Sequence, residues 1–167
     1  MAAIHLAADS FHTAHPRYHL DLSSLPDRWT EQFDLEGLRT SKAEFVQGRI
    51  EEIRQRFTAF DPGPTGWGII HGDVQGLNFH FDRNNQITFL DFDLCGYGWR
   101  AYDIAYYYTC IPAHLRGPLI RGYESIRPLT AAEHGMLPTF GRLAWIREGD
   151  QPEDLLRHMR NPYLSYA

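Results

Sequence analysis

Two segments of the sequence carry oxygen-bearing side chains at a spacing that suits chemistry on phosphates. In the first, Asp73 is followed five residues later by Asn78, and the second ends in Asp91-Phe92-Asp93. An amide oxygen with one or two carboxylates forms a hard ligand set, which Mg²⁺ prefers when phosphates supply further oxygens. A separate carboxylate nearby can accept the proton of a hydroxyl or orient that hydroxyl for attack. These residue types therefore indicate a divalent-cation site for phosphoryl chemistry, provided that the fold brings them together.

A β-hairpin is the element that must bring them together. Apolar alternation predicts two strands on either side of the polar turn 82–85, one over residues 77–81 and the other over 86–90. In an antiparallel hairpin of this length, the residues just before the first strand core and just after the second lie opposite each other. We therefore expect Asn78 and Asp91 at the same end of the two strands, with the acidic loop that precedes them close by.

The rest of the chain is predicted to be mainly helical, and no internal repeat divides it. The elements expected besides the hairpin are a helix over 4–11, a loop over 12–26, a helix over about 41–60, a strand over 68–70 and helices over 102–110 and 115–126. This pattern predicts a single α+β domain over residues 1–167, mainly helical with a small β-hairpin.

Local signals place the starts and faces of these helices. Residues 41–44 form a capping box, and the Pro/Gly cluster at 61–64 ends the long helix that follows it. A second capping box at residues 130–133 predicts another helix start. The first helix is expected to bury one apolar face, formed by Ile4, Ala7, Ala8 and Phe11.

Three segments together carry a family resemblance. Residues 71–78, 89–93 and 99–105 resemble the aminoglycoside phosphotransferase and choline kinase-like family, and the match is good over 67–107. The resemblance implies the large lobe of a protein-kinase-like fold. It also implies Mg²⁺ and ATP as cofactors, and transfer of the γ-phosphate to a hydroxyl on an amino sugar, amino alcohol or similar small molecule.

The resemblance also assigns roles to individual residues. Asp73 would be the catalytic aspartate that orients the acceptor hydroxyl, while Asn78 and Asp91 would hold Mg²⁺. Asp103 would be a buried acid at the start of a helix that supports the catalytic loop, and His71 would brace the same loop.

Each of these acidic positions also has an ordinary structural interpretation. Asp73 and Asn78 are residue types that favour loops in any protein, and Asp91 could be a simple strand-end acid. The resemblance places Asp93, with His71 and Asp103, among the cofactor-binding residues. The family often carries glycine at the position of Asp93, so Asp93 either contacts the metal directly or remains a solvated neighbour. Asp103 is more in keeping with a helix cap than with a reacting group.

Two features of the family are not recognised in the sequence. No glycine-rich loop flanked by strands precedes the catalytic segment, and the only lysine, Lys42, is predicted in the first turn of a helix. A strand lysine normally grips the phosphates, and arginine has a different geometry. We therefore expect poor or absent kinase activity from this chain alone. A truncated chain, a separately supplied small lobe and a kinase kept only for binding remain open explanations.

Two further functions are kept as alternatives. One is a non-catalytic, pseudokinase-like binding module that associates with itself or with a partner chain through the surface facing the small lobe. The other is a metal-dependent phosphohydrolase that would use His71, Asp73, Asp91 and Asp93.

Composition limits the remaining possibilities. The net charge of −5 argues against nucleic-acid binding, and no apolar run approaches the length of a membrane helix. Two cysteines are too few to form a disulfide framework, so a cytoplasmic location is expected. Pro16 interrupts the histidines at 12, 15 and 19, which disfavours a zinc site. Acidic residues near the C-terminus are expected to be a solvated helix start, with attraction of a cationic acceptor as the alternative; they are Glu148, Asp150, Glu153 and Asp154.

Overall fold

The computed structural model describes residues 1–21 and 40–148. Its helices are α1 (Ala2–Ala7, continued by a 3-10 turn over Ala8–Ser10), α2 (Thr40–Thr58), α3 (Arg100–Cys110), α4 (Ala113–Glu124) and α5 (Ala131–Glu148). Its strands are β1 (Tyr18–Leu20), β2 (Trp67–Ile70), β3 (Phe79–Phe81), β4 (Ile87–Phe89) and β5 (Gly96–Trp99). The predicted α+β class is confirmed.

A three-stranded sheet has the order β1-β5-β2. Strand β5 runs parallel to β1 and antiparallel to β2, and its Gly98 pairs with Leu20 on one side and Gly68 on the other. A Cβ atom on Gly98 would meet the side chain of Ile70, so the missing side chain lets the strands pack closely. The chain passes from β5 directly into α3, because Trp99 is the residue that precedes its first turn.

The predicted hairpin is confirmed as a separate two-stranded sheet. Phe79 pairs with Phe89, and Phe81 pairs with Ile87. The turn is held by Asp82, whose Oδ1 accepts hydrogen bonds from the main-chain N–H groups of Asn84 and Gln86, each at 2.8 Å. These two main-chain bonds lower the pKa of Asp82.

The hydrophobic core lies between α3 and α5, with α2 packed on one side. Tyr102 and Phe140 are fully buried where α3 meets α5. The ring of Phe57 from α2 stacks on Trp99 with centroids 4.7 Å apart, and it meets Phe140 edge-on at 5.2 Å. Aromatic contacts of this kind add to the free energy gained by burying the rings. This core fixes the start of α3, which faces the candidate site.

Most of the predicted elements are confirmed, with small shifts at their ends. The long helix predicted over about 41–60 is α2, and the strand predicted over 68–70 is β2. The second capping box is present: Thr130 Oγ1 accepts from the N–H of Glu133 at 3.1 Å, and Glu133 Oε2 accepts from the N–H of Thr130 at 2.8 Å. The side chains of the first capping box lie outside the described residues.

Two predictions near the start of the chain were wrong. The first helix buries Ala2 and His5 rather than the predicted apolar face, and Phe11 is exposed. Burial there is decided by polar partners of His5 that are distant in sequence. The predicted loop over 12–26 contains strand β1, while residues 22–26 lie outside the described residues. Within the described ranges, no helix is both long and apolar enough to cross a membrane.

Candidate active site

The loop over residues 71–78 joins β2 to β3 and is anchored at its first two residues by a buried carboxylate. Asp103 lies in the first turn of α3 and is fully buried. Its Oδ2 accepts a hydrogen bond from the N–H of His71 at 2.8 Å, and its Oδ1 accepts from the N–H of Gly72 at 2.9 Å. A charged acceptor strengthens such bonds, so α3 holds the start of the loop in one place.

The ring of His71 connects this loop with the second arm of the hairpin. Its Nε2 donates to the carbonyl oxygen of Leu90 at 2.8 Å, and its Nδ1 accepts from the N–H of Asp73 at 3.3 Å. These two partners require the neutral form protonated at Nε2. The ring is fully buried and lies 4.5 Å from the ring of Phe92. Both ring nitrogens are therefore occupied by protein groups.

Asp73 and Asn78 contact each other directly. The Nδ2 group of Asn78 donates to Asp73 Oδ2 at 2.7 Å and to the carbonyl oxygen of Asp73 at 3.0 Å. Gln75 also donates to Asp73 Oδ2, at 3.1 Å. Because both amide protons of Asn78 are used in this way, its Oδ1 is left as the atom that could bind a cation.

The other carboxylate oxygen of Asp73 has no such contact. Asp73 Oδ1 is buried, and no atom of the described residues forms a hydrogen bond with it. An unsatisfied buried acceptor costs about 1–3 kcal/mol. A donor group at this oxygen would recover that free energy, so Oδ1 is the acceptor that the described residues leave available to a water molecule or a ligand.

Asp91 approaches the same end of the hairpin through its main chain. The N–H of Leu90 donates to the carbonyl oxygen of Asn78 at 2.8 Å, which extends the strand pairing by one residue. Asp91 follows in a left-handed conformation with φ of 57°, and its side chain is exposed. Aspartate and asparagine tolerate this conformation better than most residues do. The side chain of Asp91 forms no hydrogen bond with the described part of the chain.

Gly72 lies where the loop over 71–78 packs closely against the segment that follows Asp91. Its φ of 84° is in the left-handed region, and a Cβ atom at this position would clash with the carbonyl oxygen of Leu94. Only glycine satisfies both conditions. The loop at 71–78 and the segment that follows Asp91 therefore touch through main-chain atoms.

Behind Asp103 lies a buried histidine that the sequence did not indicate. His5 of α1 is fully buried; its Nε2 lies 2.9 Å from Asp103 Oδ2 and its Nδ1 lies 2.8 Å from the hydroxyl of Tyr123. Burial lowers the pKa of His5, which outweighs the opposing effect of Asp103, and the charge of Arg100 acts in the same direction as burial. His5 is therefore neutral near pH 7 and donates from Nε2 to Asp103.

The hydrogen bonds continue from Tyr123 to the start of α5. Arg127 donates through Nη1 to the hydroxyl of Tyr123 at 3.1 Å and through Nη2 to Glu133 Oε1 at 2.9 Å and to the carbonyl oxygen of Thr65 at 2.8 Å. Burial raises the pKa of Tyr123 to about 12, although Arg127 acts to lower it. Tyr123 therefore keeps its proton at physiological pH.

The predicted site residues thus fall into two groups. The structure joins His71, Asp73, Asn78 and Asp103 by hydrogen bonds, directly or through main-chain atoms. Asp91 is one residue beyond the contact with Asn78, and Asp93 is exposed with no hydrogen-bond partner among the described residues. The roles assigned to these residues stay predictions.

Clusters of His, Cys, Asp and Glu side chains are the usual metal sites of proteins. No cluster of three or more His, Cys, Asp or Glu side chains suited to a metal occurs within residues 1–21 and 40–148. The histidines at 12, 15 and 19 form no such cluster in this part of the chain. The acidic residues from 148 onward lie outside the described side chains.

Comparison with known proteins identifies the class. The model of the APH phosphotransferase enzyme family matches residues 1–138, and the chain belongs to this family. An uncharacterized protein of Deinococcus radiodurans is 35% identical over 161 residues, covering 86% of this chain and 45% of that protein. A homoserine kinase of Phenylobacterium zucineum is 30% identical over 160 residues, covering 88% of this chain and 47% of that protein.

A solved structure confirms the kinase-like fold. The microcompartment-associated aminopropanol kinase is similar with a TM-score of 0.69 and 24% sequence identity, covering 99% of this chain and 56% of that one. The chain spans about half the length of the curated relatives that it matches.

Proposed function

We propose that this chain provides the catalytic loop and the metal-binding residues of a small-molecule kinase, with ATP as phosphate donor and Mg²⁺ as cofactor. The proposal rests on one observation: Asp73 has a buried carboxylate oxygen without a partner among the described residues, in a loop that Asp103 and His71 hold in place. Because ATP is the donor, we also propose a cytoplasmic location.

In this mechanism, Asp73 orients the acceptor hydroxyl and takes up its proton. The hydroxyl would donate to Asp73 Oδ1, while Asn78 and Gln75 keep Oδ2 occupied and so fix the carboxylate plane. Asn78 Oδ1 and the carboxylate of Asp91 would hold Mg²⁺, which neutralises charge on the phosphates when it is bound. Asp93 is close enough in sequence to assist but has no contact that assigns it a role.

We further propose that the acceptor carries an amine. The names of the relatives support this class, since homoserine and aminopropanol each combine an amine with a hydroxyl. The shape of the acceptor pocket decides which amine-bearing alcohol is used, and the experiment below compares two of them.

Lys42 bears on the activity of this chain alone. It is the only lysine of the sequence and lies in the first turn of α2, so it is not a strand lysine of the kind that grips phosphates. We therefore predict slow turnover by the isolated chain, and the test must be able to detect a low rate.

The test is transfer of labelled γ-phosphate from ATP to homoserine, to 1-amino-2-propanol and to water. We expect transfer to at least one amine-bearing alcohol to depend on Mg²⁺ and to fall at least about a hundredfold in Asp73→Asn, because positioned bases contribute about that much. Asp93→Asn, an exposed acid two residues past the metal-binding Asp91, is the matched control and should change the rate less than about threefold. Equal losses in both variants would refute the assignment of Asp73.

Metal binding gives a second measurement that does not need turnover. Mn²⁺ titration followed by water-proton relaxation should show an affinity about tenfold weaker in Asp91→Asn than in the unaltered chain, with Asp93→Asn unchanged. If Asp91→Asn binds Mn²⁺ as well as the unaltered chain, the metal site proposed here is wrong.

A binding module without catalysis is the second candidate, and exposed apolar side chains favour it. Leu77 is 85% exposed beside Asn78, and Leu90, Phe92 and Leu94 are between 37% and 46% exposed along the second arm. Apolar residues grouped in this way mark surfaces that another protein segment covers. Self-association measured by sedimentation, abolished by Leu77→Ser, together with no detectable phosphotransfer, would favour this candidate.

The phosphohydrolase alternative fits less well. It needs His71 as a metal ligand, and both ring nitrogens of His71 are engaged by Leu90 and Asp73. We do not propose it.

A further inference from the structure

We propose that Tyr123 and Arg127 are positioning residues for the catalytic loop, and that they act through His5 and Asp103. Neither residue lies near Asp73 in sequence, and within the described ranges neither forms a hydrogen bond with the loop. The inference concerns the geometry of the loop, and only its consequence for phosphotransfer rests on the function proposed above.

The contacts form one continuous path of hydrogen bonds with a single direction. Arg127 donates to the hydroxyl of Tyr123, and that hydroxyl donates its proton to Nδ1 of His5, the one acceptor in reach among the described residues. His5 then donates from Nε2 to Asp103 Oδ2 at 2.9 Å. Asp103 in turn accepts the N–H groups of the first two loop residues.

The start of this path is fixed by charge. Arg127 is 7% exposed, is always protonated and pairs with Glu133, which is 1% exposed. Its Nη1 group therefore always presents a donor to Tyr123. Nδ1 of His5 is the one acceptor that the described residues place within hydrogen-bond distance of the Tyr123 hydroxyl, so the hydroxyl proton is satisfied when Nδ1 is unprotonated and the ring is neutral.

A neutral His5 matters for Asp103 because Asp103 Oδ2 serves two donors. A protonated His5 would form an ion pair with Asp103 and compete for the carboxylate that binds the N–H of His71. The charges of Arg100 and of the N-terminal ammonium also act on His5, and both disfavour its protonation, while Tyr123 keeps its proton. The hydrogen bonds that start at Arg127 thus keep His5 neutral, and the carboxylate of Asp103 remains available to the N–H groups of His71 and Gly72.

The experiment compares two tyrosine variants by NMR hydrogen exchange. Tyr123→Phe removes only the hydroxyl in the path, and Tyr107→Phe removes a hydroxyl on α3 that has no hydrogen bond with the described residues. In Tyr123→Phe we expect the N–H groups of His71 and Gly72 to exchange at least about tenfold faster, while those in the middle of α3 and α5 stay within about threefold. Tyr107→Phe should leave both sets unchanged.

Substitution of His5 supplies the rescue measurement. His5→Gln keeps a nitrogen donor for Asp103 and an oxygen acceptor for Tyr123, whereas His5→Leu keeps neither. We expect slow exchange of the loop amides in His5→Gln and fast exchange in His5→Leu.

Several outcomes would overturn the proposal. Unchanged exchange of the His71 and Gly72 amides in Tyr123→Phe is one, and uniform acceleration of all core amides is another, because it would show only a general loss of stability. If Tyr123→Phe does not fold, ring ¹⁵N spectra of the unaltered chain decide: an unprotonated Nδ1 of His5 near pH 7 supports the proposal, and a protonated one overturns it. None of these measurements needs phosphotransfer, so they can succeed even if the proposed function fails.

Discussion

The two arms of the candidate site are built in opposite ways. The arm over residues 71–78 begins with buried residues whose main-chain and ring nitrogens are all engaged, and Asp103 accepts two of its N–H groups. The arm that carries Asp91 and Asp93 is exposed, and its carboxylates have no hydrogen bonds within the described ranges. One arm is fixed before any ligand arrives, while the other keeps its charged groups in water.

This difference matches what each arm would have to do. A carboxylate that orients a hydroxyl must be held within a fraction of an ångström, because misplacement lowers the rate steeply. A carboxylate that binds a cation is attracted into position by the charge of that cation. Such a carboxylate can therefore be exposed to solvent before the cation binds. The buried hydrogen bonds of the site are accordingly formed by the loop that carries Asp73 and not by the arm that carries Asp91.

The largest effect is expected at the anchor of the fixed arm. Asp103→Ala leaves the N–H groups of His71 and Gly72 and the Nε2–H of His5 without an acceptor in the protein interior. We expect the free energy of unfolding to fall by about 4 kcal/mol. Asp93→Ala on the exposed arm should change it by less than about 0.5 kcal/mol. Urea unfolding measures both, and similar losses in the two variants would show that the arms do not differ in this way.

The next largest effect is expected where the arms touch. Gly72→Ala places a methyl group against the carbonyl oxygen of Leu94 at a φ that alanine avoids, so we expect a loss of about 2 kcal/mol. Gly76, in the same loop, has open space around its Cα, and Gly76→Ala should cost less than about 0.5 kcal/mol. Thermal unfolding of the two variants checks this, and equal shifts of Tm would contradict the contact.

A smaller effect is expected from pH, through His5, which lies behind the Asp103 anchor of the fixed arm. The pKa of His5 in the folded chain is lowered from the ordinary value of 6.5, so on acidification the unfolded chain takes up this proton first. The free energy of unfolding should therefore decrease as pH falls below 6.5, by at most about 1.4 kcal/mol per pH unit for this group. Above that pH His5 contributes no slope, because it is neutral in both states.

The control for the pH effect is a variant without the titrating ring. In His5→Gln the slope below pH 6.5 should become shallower, as measured by urea unfolding at several pH values. An unchanged slope would mean that His5 is not held neutral in the folded chain.

The smallest effect on stability is expected at the exposed arm. Asp91→Asn keeps a side chain that tolerates the left-handed conformation, so the free energy of unfolding should change by less than about 0.5 kcal/mol. Asp91→Ala lacks that tolerance and should cost about 1 kcal/mol. Urea unfolding distinguishes the two variants, and a larger loss in Asp91→Asn than in Asp91→Ala would show that its carboxylate has a structural partner.

The sequence predicted the parts of this molecule that depend on neighbouring residues. The hairpin follows from a turn held by Asp82, and the start of α5 follows from the reciprocal bonds of Thr130 and Glu133, so both are visible in a few consecutive letters. The family resemblance supplied Asp103 as a support for the loop, a position that the hydrogen bonds to His71 and Gly72 are compatible with.

Long-range pairing was the part that could not be read from the sequence. Strand β5 contains two glycines and therefore lacks the β-branched pattern of a strand, and it pairs with β1 from nearly 80 residues earlier in the chain. His5 looked like a polar residue beside an apolar face, because its partners Asp103 and Tyr123 are 98 and 118 residues away. The sequence alone contains no signal for such contacts.

One carboxylate oxygen of Glu133 accepts a hydrogen bond from the N–H of Thr130, the residue before α5, and the other accepts from Arg127. Loss of Glu133 would leave the buried guanidinium of Arg127 without its ion-pair partner, and loss of Arg127 would do the same to the buried carboxylate of Glu133. Either change alone would therefore lower the free energy of unfolding. Homologous chains should therefore exchange this acid and this base together, and where both are absent their helix should begin with a different cap.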